Sequence, residues 1–252
     1  MVDVQGVTKA YQKVVVVDDV TLHIPTGGVT SIIGPNGAGK STLLSMISRL
    51  LPMTSGRITV DGLDVTTTPG DVLARKLSIL RQDNTTTSRL TVRELVTFGR
   101  YPYSKGRPTA DDWVHIQQAL RYLDLEDRAD RFLDELSGGQ RQRAFVAMVM
   151  AQDTEAVLLD EPLNNLDMKH AVNMMRLLRR TADELGKTVV LVLHDINFAS
   201  GYSDQIVAMK DGKVAYQGTP DEIVRPDIIR HLYELDVSVH TIDGRCIACH
   251  FT

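Results

Sequence analysis

Gly34-Pro35-Asn36-Gly37-Ala38-Gly39-Lys40-Ser41-Thr42 follows the apolar run Val29-Thr30-Ser31-Ile32-Ile33 and opens a helical pattern. The run before it suits a strand, and Leu43, Leu44, Ile47, Leu50 and Leu51 recur after it at helical spacing. Glycines at 34, 37 and 39, closed by Lys40-Ser41, have the spacing of a phosphate-binding loop. Glycine lets the backbone turn tightly and approach an anion, and the free amides of the following helix point at it. Lys40 adds a charge for the outer phosphates, and Ser41 offers a hydroxyl to Mg²⁺. The loop leaves the reaction open, because kinases, GTPases and ATPases share it.

The remaining composition narrows the choice. With 252 residues, 43% of them apolar, the chain can bury a large core as one α/β domain or a domain carrying an insertion. Lys and Arg total 28 against 32 acidic residues, a formal charge of -4, and no long basic tract marks a nucleic-acid surface. The longest apolar run, Ala144 to Ala151, has eight residues, well short of the roughly 20 a membrane helix needs. A membrane role must therefore come through a partner. Met1-Val2-Asp3-Val4-Gln5-Gly6 lacks a basic start and an apolar signal core, so a cytosolic chain is expected. Cys246-Ile-Ala-Cys249-His250 formally satisfies the c-type haem pattern, but it sits in an alternating tail, 237–251, that reads as a hairpin turning at Asp243-Gly244. A lone pair lacks the second pair of a structural zinc site, and a reduced, structural pair is expected.

In chain order, Val14 to Val17 and Val20 to Ile24 are short β-rich runs that suggest an antiparallel edge ahead of the loop strand. Tyr11 in this segment is either an ordinary strand residue or an aromatic face for a nucleotide base. Pro52 closes the helical pattern, Gly56 to Gly62 gives a strand and turn, and Leu77 to Leu80 is a strand ending at Arg81-Gln82-Asp83-Asn84. Thr91 to Gly99, Ala110 to Leu123 and Gly139 to Ala151 then read as helices with no convincing strand between them. Leu136-Ser137-Gly138-Gly139-Gln140 precedes the last of these. Alone it is an N-cap and flexible entry; beside a phosphate loop it becomes a second anion site at a helix N-terminus.

Ala156 to Leu159 is an apolar strand ending in Asp160-Glu161. Burying two carboxylates without compensation is costly, so a metal and a reacting water give them a purpose: Asp160 in the metal's shell, Glu161 on the attacking water. Ala171, Met174, Met175, Leu178, Ala182 and Leu185 mark an amphipathic helix closed by Gly186, its methionines serving as core filling. Thr188 to Leu193 is apolar throughout, as in a parallel sheet covered on both faces, and His194 emerges at its C-terminal end, the ligand side of such folds. Gln205 to Lys210 and Lys213 to Gly218 form a hairpin around Asp211-Gly212.

Gly34 to Thr42, Gln82, Leu136 to Gln140, Val157 to Glu161, Leu166-Asp167 and His194 stand in an order that resembles the ATP-binding-cassette (ABC) ATPases over essentially the whole chain. The Leu-Ser-Gly-Gly-Gln pentapeptide is the most specific part. The resemblance implies an α/β fold: a RecA-like P-loop NTPase core with an antiparallel β subdomain (1–84 and 152–252) and an inserted α-helical subdomain (85–151), together one ABC ATPase domain. It implies a head-to-tail homodimer in which each ATP lies between one subunit's P-loop and Ser137, Gly138, Gly139 and Gln140 of the other. Tyr11 would stack on adenine, Ser41, Gln82 and Asp160 would serve Mg²⁺, Glu161 would polarise water, His194 would meet the γ-phosphate, and Asp167 would communicate across the dimer.

Leu163-Asn164-Asn165 departs from the family pattern, where many members carry a small hydroxyl residue and Ser-Ala. Arg89 to Leu95, Gly99 to Tyr103 and Asn164 to His170 look most like the iron-siderophore importer branch; haem and cobalamin ATPases are close relatives. The branch implies an integral membrane permease, docked between the helical insertion and the Gln82 loop, with an extracytoplasmic binding protein delivering cargo. The ATPase would sit peripherally on the cytoplasmic face of the membrane, with no nucleic-acid partner. The competing classes are a soluble ABC ATPase of iron-sulfur cluster assembly and a simple P-loop kinase or nucleotide-binding module, the latter disfavoured by the pentapeptide.

Overall fold

A computed structural model describes residues 1–82, 84 and 88–250; Asp83, residues 85–87 and Phe251 with Thr252 lie outside the described residues, and with them one residue of the 81–84 turn and the end of the expected tail strand. The chain begins with β1 (Val2–Tyr11), β2 (Val14–Ile24) and β3 (Gly28–Ile33), then α1 (Lys40–Ile47), β4 (Ser55–Val60), β5 (Leu63–Asp64), α2 (Gly70–Leu73) and β6 (Leu77–Leu80). Helices follow: α3 (Val92–Phe98), α4 (Tyr101–Ser104), α5 (Ala110–Tyr122) and α6 (Gly138–Ala151). The chain then alternates through β7 (Ala156–Asp160), α7 (Met168–Leu185), β8 (Thr188–Val192), α8 (Ile196–Tyr202) and β9 (Gln205–Lys210). It ends in β10 (Lys213–Gly218), α9 (Pro220–Ile223), α10 (Pro226–Tyr233), β11 (Ser238–Ile242) and β12 (Arg245–Cys249).

A six-stranded sheet in the order β10-β9-β3-β8-β7-β6 organises the molecule, parallel from β9 to β6 with β10 antiparallel at one edge. Its inner strands β3, β7, β8 and β9 are buried at nearly every position, because both faces of the sheet are covered. Ile32, Leu158, Val190, Val192 and Val207 pack with α1 and the β1–β4 residues Val2, Val4, Val20 and Ile58. Their neighbours Ile33, Leu159, Leu191 and Ala208 face the other way, into the core shared with α6 and α7. From 91 to 151 the regular elements are all helices, α or 3₁₀, joined by turns, with one isolated bridge, Thr91 to Phe132.

The structure sharpens one local expectation and corrects another. The two β-rich runs before the loop are one continuous strand, β2, which with β1, β4 and β5 forms a separate four-stranded antiparallel sheet, in keeping with the antiparallel β subdomain expected. The loop helix stops at Ile47, ahead of Leu50 and Leu51 and of Pro52. Arg49 turns left-handed at φ 60°, and the Leu50 amide donates back to the Ser45 carbonyl at 2.9 Å, a Schellman-type closure that leaves Leu50 52% exposed.

Candidate functional site

Strand register builds the site. Ile32 of β3 pairs with Val192 of β8, and Val192 pairs with Asp160 of β7, so Gly34, His194 and Glu161 leave the sheet side by side at its C-terminal edge. Leu80 pairs with Leu159, which carries Gln82 to the same edge. Gly34 turns there at φ 143°, where a β-carbon would lie 2.1 Å from the Met209 carbonyl oxygen, so no other residue fits. Gly39, the N-cap of α1, has φ 93° and provides no side-chain cap, and the first turn carries no acidic residue. The opening amides of α1 are thus left for an anion.

Lys40 is buried in this turn and donates to the Gly34 and Pro35 carbonyls at 2.8 and 3.0 Å. Burial pulls its ammonium below the usual lysine range, while the charges of Glu161 and Asp160 pull it back up. The Ser41 hydroxyl donates to Asp160 Oδ1 at 2.9 Å. Asp160 is 7% exposed, and burial raises its carboxyl above the ordinary aspartate value, against the Ser41 hydrogen bond. Glu161 adopts φ 51°, sparsely populated for a residue with a side chain. Its carboxylate is held by Gln82 Nε2 at 2.7 Å on Oε2 and His194 Nε2 at 2.5 Å on Oε1. A phosphate-sized cleft of about 170 Å³ lies here, lined by Val16, Asn36 to Thr42, Glu161 and His194.

Ser137, Gly138, Gly139 and Gln140 do not line this cleft. Ser137 caps α6, its Oγ accepting from the Gln140 amide at 3.4 Å while its own amide donates to Gln140 Oε1 at 3.1 Å. Ser137 and Gly138 are exposed, presenting a helix N-terminus to solvent. Gly139 is buried against α7, where an added β-carbon would stand 2.5 Å from His170 Cδ2. Asp167 caps α7 and accepts from the His170 amide and Nδ1 at 2.8 and 2.7 Å; these bonds hold its carboxyl below the usual range, the backbone one first. Apart from Tyr11, the sequence's candidates therefore fall into two groups: loop, Asp160, Glu161, Gln82 and His194 together, and Ser137 to Gln140 with Asp167 apart.

Tyr11 stands at the β1–β2 tip, 48% exposed with Lys9 Nζ 4.9 Å from its ring centroid, and is not part of the cleft lining. Both tail cysteines are free, and the Cys246 thiol, raised by burial and by Asp221, donates to Asp221 Oδ1 at 3.3 Å. Sequence reasoning missed Asn164, whose Nδ2 donates to Glu161 Oε2; its signal was an amide three residues on, in the turn closed by the Asn164 amide on the Glu161 carbonyl at 3.2 Å. It also missed Val16, a cleft wall supplied by a different sheet, for which no local signal existed.

A parallel sheet whose central strand ends in a glycine loop and helix, with an Asp-Glu pair at the end of a nearby strand, defines a P-loop nucleoside-triphosphate-binding protein. The ABC transporter family model matches residues 17–164. The petrobactin import ATP-binding protein YclP of Bacillus subtilis (strain 168) is 53% identical over 252 residues, the full length of both chains. The petrobactin import ATP-binding protein FatE of Bacillus anthracis is 52% identical, over 95% of this chain and 96% of that one. The dimeric post-hydrolysis structure of the ATP-binding cassette MJ0796, bound to ADP and Pi, superposes with TM-score 0.78 at 32% identity, covering 87% of this chain and 99% of that one. The chain belongs to the ABC transporter family.

Proposed function

We propose that this protein is the ATP-hydrolysing subunit of a ferric-siderophore importer, acting as a head-to-tail homodimer on a membrane permease at the cytoplasmic face. The observation that carries the reading is the division of the site: the phosphate cleft holds the loop, Glu161 and His194, while the Ser137 end of α6 is exposed and is not part of that lining. A second copy of the chain supplies the missing half. The dimeric MJ0796 structure and the petrobactin import function named for YclP and FatE support this assembly and cargo class. No helix among the described residues is long and apolar enough to cross a membrane, so the path for cargo belongs to another subunit.

In this mechanism the loop amides and Lys40 bind the β- and γ-phosphates, Ser137 and the Gly138 and Gly139 amides of the second copy close on the γ-phosphate, and Tyr11 stacks on adenine. Glu161 orients and polarises the attacking water, its carboxylate aimed by Gln82, His194 and Asn164. A buried carboxylate answered by one hydroxyl, with an amide side chain near, is a hard oxygen donor set that suits Mg²⁺; Ser41, Asp160 and Gln82 would hold it, and when bound it neutralises phosphate charge. The helices of residues 85–151 carry Ser137 toward the partner and, with the Gln82 loop, receive the permease. Deletion of the gene should abolish growth on a ferric siderophore as sole iron source, with wild-type protein restoring it and Lys40→Ala failing to. Copurification with an integral membrane protein separates this reading from soluble iron-sulfur assembly; restored growth with Lys40→Ala would refute it.

A further inference from the structure

A second cleft, of about 480 Å³, lies between α5, α6 and α7 and shares no residue with the phosphate cleft. Arg121 comes from α5, Arg143 from α6, and His170, Arg176 and Arg180 from α7, while Asp124 is the one acidic residue in the lining. Such a concentration is unexpected in a chain of formal charge -4, because like charges gathered in one cleft repel. His170 is held by Asp167 at 2.7 Å, but the arginines have no such close, sheltered carboxylate. Among the described residues Arg143 and Arg176 have no ion-pair partner; Arg121 meets Glu126 at 3.2 Å and Arg180 meets Glu184 at 3.7 Å, through side chains more than half exposed. Exposed pairs of that kind exchange at little cost.

Two polar atoms point to a ligand. Arg143 Nε and the Tyr122 hydroxyl are both buried with no hydrogen-bond partner among the described residues, and both residues line the cleft. Arg180 lies over the Tyr122 ring, 5.1 Å from its centroid, which keeps the guanidinium at the cleft mouth. Guanidinium forks bind phosphate oxygens in pairs, and the volume is that of a small-molecule site. We propose that this cleft binds a small soluble polyanion of the phosphate class. The bound anion spans Arg121 on the inserted helices and Arg176 and Arg180 on the core helix α7. It thereby ties together the two parts that carry Ser137 and Asp167.

Calorimetric titration of the full-length protein with pyrophosphate, its nucleotide site saturated by a non-hydrolysable ATP analogue, should show one further binding event per chain. The double variant Arg176→Ala/Arg180→Ala changes exposed positions, so it should fold and keep basal ATP hydrolysis while binding pyrophosphate at least about tenfold more weakly. Arg143→Gln should weaken it comparably. Absence of the further event, or an event undiminished in the double variant, overturns the proposal. So does arginine-dependent binding to phosphatidylglycerol vesicles without binding of pyrophosphate, which assigns the cleft to a lipid surface.

Discussion

Glu161 holds a left-handed backbone at φ 51° and a carboxylate engaged on both oxygens, so its direction is fixed before any substrate arrives. Glu161→Gln preserves shape and the contacts to Gln82 and Asn164 through its carbonyl oxygen, but not the basicity needed to polarise water. ATP binding should be retained, turnover should fall roughly 10²–10⁴-fold, and the ATP-bound dimer should accumulate on a sizing column. Turnover at the wild-type rate would refute the assigned role. The neighbouring Asp160 makes the opposite trade between function and stability. Burial raises its carboxyl above 3.8, so the folded chain binds protons more tightly than the unfolded chain does. Its contribution to stability therefore declines as pH climbs from the unfolded value through the raised folded one, and the penalty is complete at neutral pH. Asp160→Asn can still accept from Ser41 and removes that penalty. The nucleotide-free variant should melt higher at pH 7, by about 2–4 °C for each kcal/mol recovered, with the gain fading toward pH 4 while hydrolysis is lost. A melting temperature at pH 7 equal to or below wild type contradicts this account.

At the level of elements, the contact that joins the α6 and α7 N-termini is Gly139 against His170, the first beside Ser137 and the second hydrogen-bonded to Asp167. A methyl at 139 would stand 2.5 Å from the imidazole, and the ring is itself pinned by Asp167, so the helices must part. Gly139→Ala should cost about 1–3 kcal/mol by chemical denaturation, and His170→Ala in the same chain should recover most of it by clearing the space. Strictly additive losses in the double variant would show that the close approach is not the cause. This coupling could not be read from the sequence, where the two residues stand in separate segments and each has an ordinary local meaning. What could be read was whatever chemistry is written contiguously: residues 34–42 as a loop between strand and helix, 137–140 as a cap, 160–161 as carboxylates at a strand end. Element ends were less visible. Leu50 and Leu51 continue the apolar spacing of α1, yet the turn at Arg49 closes the helix first, and spacing carries no signal for a left-handed residue.

Across the whole molecule, side chains far apart in the chain meet because the sheet register brings strand ends together. Gln82 reaches Glu161 across 79 residues only because β6 lies beside β7, and Val16 reaches the loop from a second sheet whose separateness alternating residues could not announce. Ser137 is not part of the cleft lining, and in the proposed head-to-tail pairing a chain would contribute its P-loop to one site and its cap to the other. That division predicts complementation. Lys40→Ala damages the loop and keeps the cap; Ser137→Arg places a long cation at the closing surface and keeps the loop. Each homodimer should hydrolyse little ATP, since both of its sites contain one damaged half. In a mixed dimer the two faults fall in one site, and the other site receives an intact Lys40 from one chain and an intact Ser137 from the other. If chains pair at random, half of the dimers are mixed and each has one good site of two, so an equimolar mixture should recover about a quarter of wild-type activity. A site complete within one polypeptide would leave the mixture as inactive as its components, and steady-state ATPase assays across mixing ratios distinguish the two outcomes.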